Sequence, residues 1–270
     1  MGIPRSSQPG PGRRRPRPGT RWPRANDGRG SGPPGRGAGT ARGSRMAGMR
    51  IGILGTGNVG RALAAAWART GHDVVLGSRR PDDPVLLEEL EELTATGLRI
   101  VASSAAAEHA EVLVNATPGT ASVELLHTIG AEALAGKVLL DVGVGFLADG
   151  TLSHPVVSLG EEIQQAFPGA RVVKALCTVD RKVMIAPDSL EGPGTVFLSG
   201  EDAEAKGVVR GLVAELGWSD DAVLDLGGIV TARGQEHFAL LFIGIAQATG
   251  TYEFGIRVVP PASGGSGTDD

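Results

Sequence analysis

The sequence predicts an α/β fold: a doubly wound parallel sheet followed by a smaller mixed α/β C-terminal portion. Three observations predict it. Residues 50–80 read as strand, glycine turn, helix and second strand. Beyond them, short apolar strands keep alternating with helix-like stretches up to residue 142, the pattern of a parallel sheet covered on both faces. Past residue 143 the alternation loosens.

The first unit carries the most information. Arg50 to Leu54 is an apolar strand, and Gly55-Thr56-Gly57-Asn58-Val59-Gly60 follows. With 42 glycines in the chain, a lone GxGxxG would mean little. Between a strand and a helix over Arg61 to Thr70 it marks a dinucleotide-binding Rossmann turn. Gly55 permits the tight turn, Gly57 lets backbone approach a diphosphate, and Gly60 lets the helix pack on the strand. The helix start offers free N–H groups and partial positive charge to the phosphates.

The second strand, Asp73 to Gly77, runs into Ser78-Arg79-Arg80. An NAD site would place a carboxylate there for the ribose 2′-hydroxyl. Asp73 lies at the wrong end of the strand to be that acid. Ser78, Arg79 and Arg80 instead supply a hydroxyl and two guanidinium forks, which suit a 2′-phosphate. The expected cofactor is NADP(H).

The remaining elements follow in order. Pro84 to Thr96 is a helix, with Leu86, Leu87, Leu90 and Leu93 at helical spacing. Leu98 to Ala102 is a strand, Ala105 to His109 a short helix, and Glu111 to Asn115 a strand. The loop Ala116-Thr117-Pro118 lies at a C-terminal strand edge, where open sheets bind ligands. Ala121 to Leu134 is helical and Lys137 to Val142 a fifth strand. Then come a helix over Ser158 to Phe167, with Ser158 capping and Glu161 three residues on, and strands over Arg171 to Leu176 and Thr195 to Ser199. A helix over Asp202 to Leu216, a strand over Ala222 to Asp225, a long apolar helix over Thr231 to Thr249 and an extended stretch over Tyr252 to Val259 complete the chain. The expected organisation is a leader over residues 1–48, an NADP domain over 49–175, a second-substrate portion over 176–259, and a Gly/Ser/Pro-rich tail over 260–270, with both ends disordered.

Charge divides the chain unevenly. Residues 1–45 hold eleven arginines and one acid, Asp27, so the rest carries −14 against −4 overall. That acidity argues against nucleic-acid binding by the folded part. The basic segment reads either as an arm for anionic surfaces or as a leader ahead of a start at Met46 or Met49. The second reading is favoured, since every basic residue there is arginine. A single cysteine, Cys177, fits a reducing cytoplasm. The longest apolar run, Phe238 to Ala248, is too short to span a membrane.

Residues 49–259 resemble the coenzyme F420:NADP oxidoreductases. The likeness rests on Ile51 to Arg80, Val172 to Thr178, Val196 to Gly200 and Gly250 to Phe254. It implies hydride transfer between C4 of the nicotinamide and C5 of the deazaflavin coenzyme F420, a small-molecule redox partner. It also brings the expectation of a homodimer, with Phe238 to Ala248 at the interface. Such chemistry needs two rings held face to face in a dry cleft. In agreement, the sequence holds no metal-ligand spacing and no nucleophile elbow.

Candidates for a catalytic group are few. Lys174 reads as a general acid or as a snorkelling lysine. Thr178 is a further donor, and His237 opens the apolar helix. His72 and His127 read as surface residues, while His109 and His154 sit in turn-like settings with no companion at ligand spacing, which points to structural or solvated roles. The chain departs from its relatives at Val144-Gly145, Cys177 and Gly255, each standing where an amide or Asn-Pro is usual. An amide makes several directed hydrogen bonds and its replacements make none. Two other readings therefore stand beside the first. One is an NADPH-dependent reductase of a small carbonyl or imine, which needs a proton donor. The other is an NADP-binding sensor without turnover.

Overall fold

The computed structural model describes residues 48–260. Apart from Gly48 and Pro260, the expected leader and tail lie outside the described residues. One sheet of eight strands organises the rest, in the order β3-β2-β1-β4-β5-β6-β7-β8. The strands are β1 (Arg50–Leu54), β2 (Asp73–Ser78), β3 (Arg99–Ala102), β4 (Val112–Asn115), β5 (Val138–Asp141), β6 (Arg171–Ala175), β7 (Val196–Ser199) and β8 (Val223–Asp225). The first six pair in parallel. Their order, 3-2-1-4-5-6, is the dinucleotide-binding arrangement, with its switch point between β1 and β4. β7 runs antiparallel to β6, through Lys174 opposite Ser199, and β8 runs parallel to β7. The sheet thus continues past residue 175 without interruption.

Ten helices occur among the described residues: α1 (Asn58–Thr70), α2 (Pro84–Glu89), α3 (Glu91–Thr94), α4 (Ser103–His109), α5 (Gly119–Ile129), α6 (Ala131–Leu134), α7 (Leu159–Ala166), α8 (Arg181–Ile185), α9 (Ala203–Glu215) and α10 (Ala232–Thr249). Alternate residues of each strand point to opposite faces, so two cores form. One gathers Ile51, Ile53, Val74, Leu76, Val114 and Leu140 under α1 and α9. The other gathers Leu54, Val75, Leu113, Leu139 and Val172 under α4, α5 and α7. Trp67 of α1 is fully buried, and its Nε1 donates to the Leu212 carbonyl at 3.1 Å, tying α1 to α9. On the other face, α4 lies directly on the sheet. A Cβ at Gly52 would come within 2.3 Å of the Ala106 carbonyl, so this position must be glycine.

Two expected helices are each split. Leu90 leaves helical geometry and buries its side chain, dividing 84–96 into α2 and α3. Gly130, at φ +95°, divides 121–134 into α5 and α6. The expected cap of α7 is present as a reciprocal box: Ser158 Oγ accepts from the Glu161 N–H, and Glu161 accepts from the Ser158 N–H. The 252–259 stretch forms no strand. It touches the start of β7 through Thr195 N–H to the Ile256 carbonyl at 2.7 Å. His72 is not a surface residue. It is 7% exposed, accepts from the Met49 N–H at 3.0 Å and meets Glu215 at 2.5 Å. Entry into β2 beside the start of β1 places it inside.

Candidate functional site

A groove of about 550 Å³ opens at the C-terminal edge of the sheet, over the β1/β4 switch point. The glycine turn forms its floor. Gly55 sits at φ +111°, its N–H donates to the Gly77 carbonyl, and the Ala116 N–H donates to Leu54. These bonds suspend the turn between β2 and β4. A Cβ on Gly57 would meet nothing within 4 Å, so its exposed backbone faces open groove. A Cβ on Gly60 would lie 2.1 Å from the Gly55 carbonyl. Gly60 is therefore buried packing that sets the helix on the turn, and it does not line the groove. Arg61 fastens the turn from behind: its Nε donates to the Thr56 carbonyl at 2.5 Å, and the guanidinium pairs with Glu89 of α2 at 2.6 Å.

The other expected cofactor residues come together here. Gly55, Thr56, Gly57, Asn58, Val59, Ser78, Arg79, Arg80, Ala116, Thr117 and Pro118 all line the groove. The two arginines differ. Arg80 pairs with Asp83 at 3.3 Å, and its N–H donates to Ser78 Oγ at 3.0 Å. Arg79 makes no ion pair among the described residues and faces both the groove and a smaller hollow of about 180 Å³ beside Thr117 and Ala121. Sequence reading missed Asp83, Leu86, Ser103, Leu125, Val142 and Gly143 as lining residues. Asp83 stands just ahead of Pro84, the first residue of α2. It caps α2, accepting from the Val85 N–H.

The donor set and shape fit a dinucleotide bearing an extra phosphate. Backbone at Gly57 and the free N–H groups of α1 face where a diphosphate would lie. Cationic side chains stand only at the β2 end of the groove lining.

The comparisons with known proteins point the same way. Residues 50–145 match the family model described as NADP oxidoreductase, coenzyme F420-dependent. A crystal structure from Arthrobacter sp. FB24, assigned as an F420-dependent NADP reductase, is 39% identical. It aligns over 79% of this chain and all of that one, with a TM-score of 0.73. This chain belongs to the F420-dependent NADP oxidoreductase family. The F420-dependent NADP reductase of Methanothermobacter marburgensis is 27% identical over 78% of this chain and 98% of its own. The metalloreductase STEAP3 of Rattus norvegicus is 28% identical over 71% of this chain; the match spans about a third of that longer protein, 36%.

In this family member the candidate catalytic residues occupy three different settings. Lys174 is fully buried. Its ammonium lies 2.9 Å from Asp141 and 2.8 Å from Glu236, and it also donates to the Gly143 carbonyl. Burial opposes its charge, but Asp141 and Glu236 outweigh that and lift its pKa above the ordinary lysine value. Such a lysine holds its proton and has no exposed face from which to give it. Thr178 is 2% exposed, and its hydroxyl has no hydrogen-bond partner among the described residues. His237 is exposed on α10, with Nε2 3.1 Å from the Pro155 carbonyl.

The three departures from the family pattern acquire physical reasons. Val144 lines the groove. Gly145 is a close crossing, where a Cβ would fall 1.9 Å from Ser153 Oγ and 3.0 Å from the Thr120 nitrogen. A Cβ on Gly255 would lie 2.6 Å from Leu190 Cδ1. The Cys177 thiol lies 3.7 Å from Gln235 Oε1 and is pushed up to about 12 by burial, with Lys174 pulling the other way. His154 has structural partners, Ser153 Oγ at 2.7 Å and Glu162 at 3.0 Å. His109 pairs with Asp73 at 3.5 Å, and exposed His127 packs on Phe167 with ring centroids 4.9 Å apart.

Proposed function

We propose that the protein transfers a hydride between NADP(H) and the deazaflavin coenzyme F420. The observation that carries this reading is the groove itself: a glycine turn at the switch point with Ser78 and an unpaired Arg79 at its β2 end. When bound, NADPH supplies the hydride from C4 of its nicotinamide. The chain's own residues bind and orient. The backbone of 55–60 and the start of α1 hold the diphosphate. Ser78 and Arg79 hold the 2′-phosphate, and Arg80 joins them if it leaves Asp83. Thr117, Pro118, Gly143 and Val144 border the nicotinamide half, because the adenosine half goes to the β2 side of the switch point.

The F420-dependent relatives support F420 as the partner, and so does the buried state of Lys174. A carbonyl reductase needs a proton donor within reach of its substrate, whereas two redox cofactors carry their own chemistry. The test is spectrophotometric. Reduced nicotinamide should be consumed only when the deazaflavin coenzyme is added; no turnover in either direction would remove the reading.

One observation favours the runner-up, reduction of a small carbonyl or imine. Thr178 keeps a hydroxyl with no hydrogen-bond partner among the described residues, and to serve a substrate it must come out of its buried setting. If NADPH is not consumed with any carbonyl or imine tried, that alternative fails; where it is consumed, T178A should abolish the turnover. A homodimer through α10 belongs to the proposal as well, supported by exposed Leu240 (46%) and Leu241 (58%) on that helix. Sedimentation at micromolar concentration would show whether the chain self-associates. No helix among the described residues is long and apolar enough to cross a membrane.

A further inference from the structure

Beneath the nicotinamide half of the groove lies a buried polar chain that links five elements, α10, α7, β6, β5 and β4. Glu236 of α10 accepts from the Leu159 and Gly160 N–H groups of α7 at 2.9 and 3.2 Å. It meets Lys174 at the end of β6, which reaches Asp141 at the end of β5. Asp141 Oδ1 accepts from the Gly143 N–H at 3.0 Å and from Asn115 Nδ2 at 2.9 Å. Asn115 Oδ1, at the end of β4, accepts from both the backbone N–H and the hydroxyl of Thr117, at 3.3 and 2.5 Å. Asn115, Asp141 and Lys174 are fully buried and Glu236 is 1% exposed.

Two groove-lining loops therefore hang from this chain. Gly143 is gripped at both ends of its peptide, by Asp141 at its N–H and by Lys174 at its carbonyl. Thr117 is gripped by Asn115. The loops also meet each other and α5: the Gly119 N–H donates to the Val144 carbonyl at 3.3 Å, and Thr117 Oγ1 lies 2.9 Å from Ser122 Oγ. The far end of the chain is α10, the helix that also carries Arg233. Arg233 forks onto Glu161 of α7 at 2.7 and 2.6 Å.

We propose that Lys174 and Glu236 are positioning residues: through Asp141 and Asn115 they set the Gly143 and Thr117 loops that receive the nicotinamide half, and they tie that setting to α10. The inference rests on the NADP(H) reading of the groove. Lys174 touches no cofactor and donates no proton in this role. The arginine end at β2 is built from other residues and lies outside the chain of bonds, so the two halves of the ligand should respond separately.

The experiment uses the full chain with the variants E236Q and K174M. E236Q keeps the shape of the side chain, while K174M leaves two carboxylates without their cation. Calorimetry measures the affinity of 2′,5′-ADP, which has only the adenosine half, and of NADPH. Emission from bound NADPH reports the surroundings of the reduced nicotinamide. In E236Q, 2′,5′-ADP should bind within about twofold of wild type. NADPH should weaken about fivefold or more, with its emission moving towards that of free NADPH. Equal weakening of both ligands, or no change in either, overturns the proposal. K174M should show the same split more strongly; if it does not fold, E236Q decides alone. A wild-type protein that binds neither ligand removes the cofactor reading, and this proposal with it. That result is distinct from a split that fails to appear.

Discussion

Asp83 holds Arg80 and leaves Arg79 alone. One carboxylate oxygen of Asp83 lies 3.3 Å from the Arg80 guanidinium while the other caps α2, and Arg79 stands beside them without an ion-pair partner among the described residues. The Ser-Arg-Arg stretch is thus two unequal cations at one end of a groove. A charge-assisted hydrogen bond contributes about 1.5–3 kcal/mol, and an exposed arginine already paired must first give up its carboxylate.

R79A should therefore weaken NADP+ binding about tenfold or more, with NAD+ affected little. R80A should weaken it less. Calorimetry with both dinucleotides checks the order. If NAD+ binds as tightly as NADP+ to the wild type, the 2′-phosphate site is misassigned.

Gly57 and Gly60 should respond in opposite ways to valine. At Gly60 a side chain has no room, since the Gly55 carbonyl lies 2.1 Å from where its Cβ would stand. G60V should cost about 1–3 kcal/mol of stability by overpacking, seen in denaturant melts. At Gly57 the space is open, so G57V should melt like wild type yet lose nucleotide binding, because the new side chain fills the approach to the diphosphate. A G57V protein that binds NADPH normally would contradict this placement of the turn.

Glu161 makes stability depend on acid. Arg233 forks onto its carboxylate and, with the Ser158 contacts, lowers its pKa from 4.5 to about 2. A carboxylate with a depressed folded value stabilises above its unfolded pKa and loses that contribution as pH falls through the folded one. The contribution should be complete above about pH 4.5 and decline towards pH 2. Urea melts across that window should fall more steeply for the wild type than for E161Q. Parallel slopes would show that the fork stabilises nothing.

Cys177 should resist alkylation. It is the single cysteine, and burial pushes its thiol up to about 12, so almost no thiolate exists near pH 8. Iodoacetamide should label it slowly in the folded protein and fast in urea, as read by intact mass. Cys177 is half-buried, so rapid labelling in the native state would mean that its thiol ionises more readily than its surroundings suggest.

Sequence alone determined the βαβ unit, the glycine turn and the arginine pair. Those features are local: steric demands of Gly55 and Gly60, the spacing of apolar residues, and side-chain chemistry at a strand end are written within 30 or so residues. It also located each strand to within one residue at either end, because alternation and turn residues mark strands without reference to the rest of the chain. It did not locate short α8, nor the breaks at Leu90 and Gly130, where packing and a left-handed glycine override a periodic pattern.

Tertiary structure alone decided what Lys174 is. Its neighbours come from Asp141, 33 residues away, and from α10, whose Glu236 bonds a backbone 77 residues earlier. No spacing rule joins such positions, and a lone lysine at a strand end reads equally as acid, tether or surface charge. The same holds for the antiparallel turn of β7, since strand direction leaves no trace in alternation, and for His72, buried by the neighbour its strand happens to meet. Local chemistry fixed where a phosphate can sit. Long-range burial fixed which charges remain available to meet one.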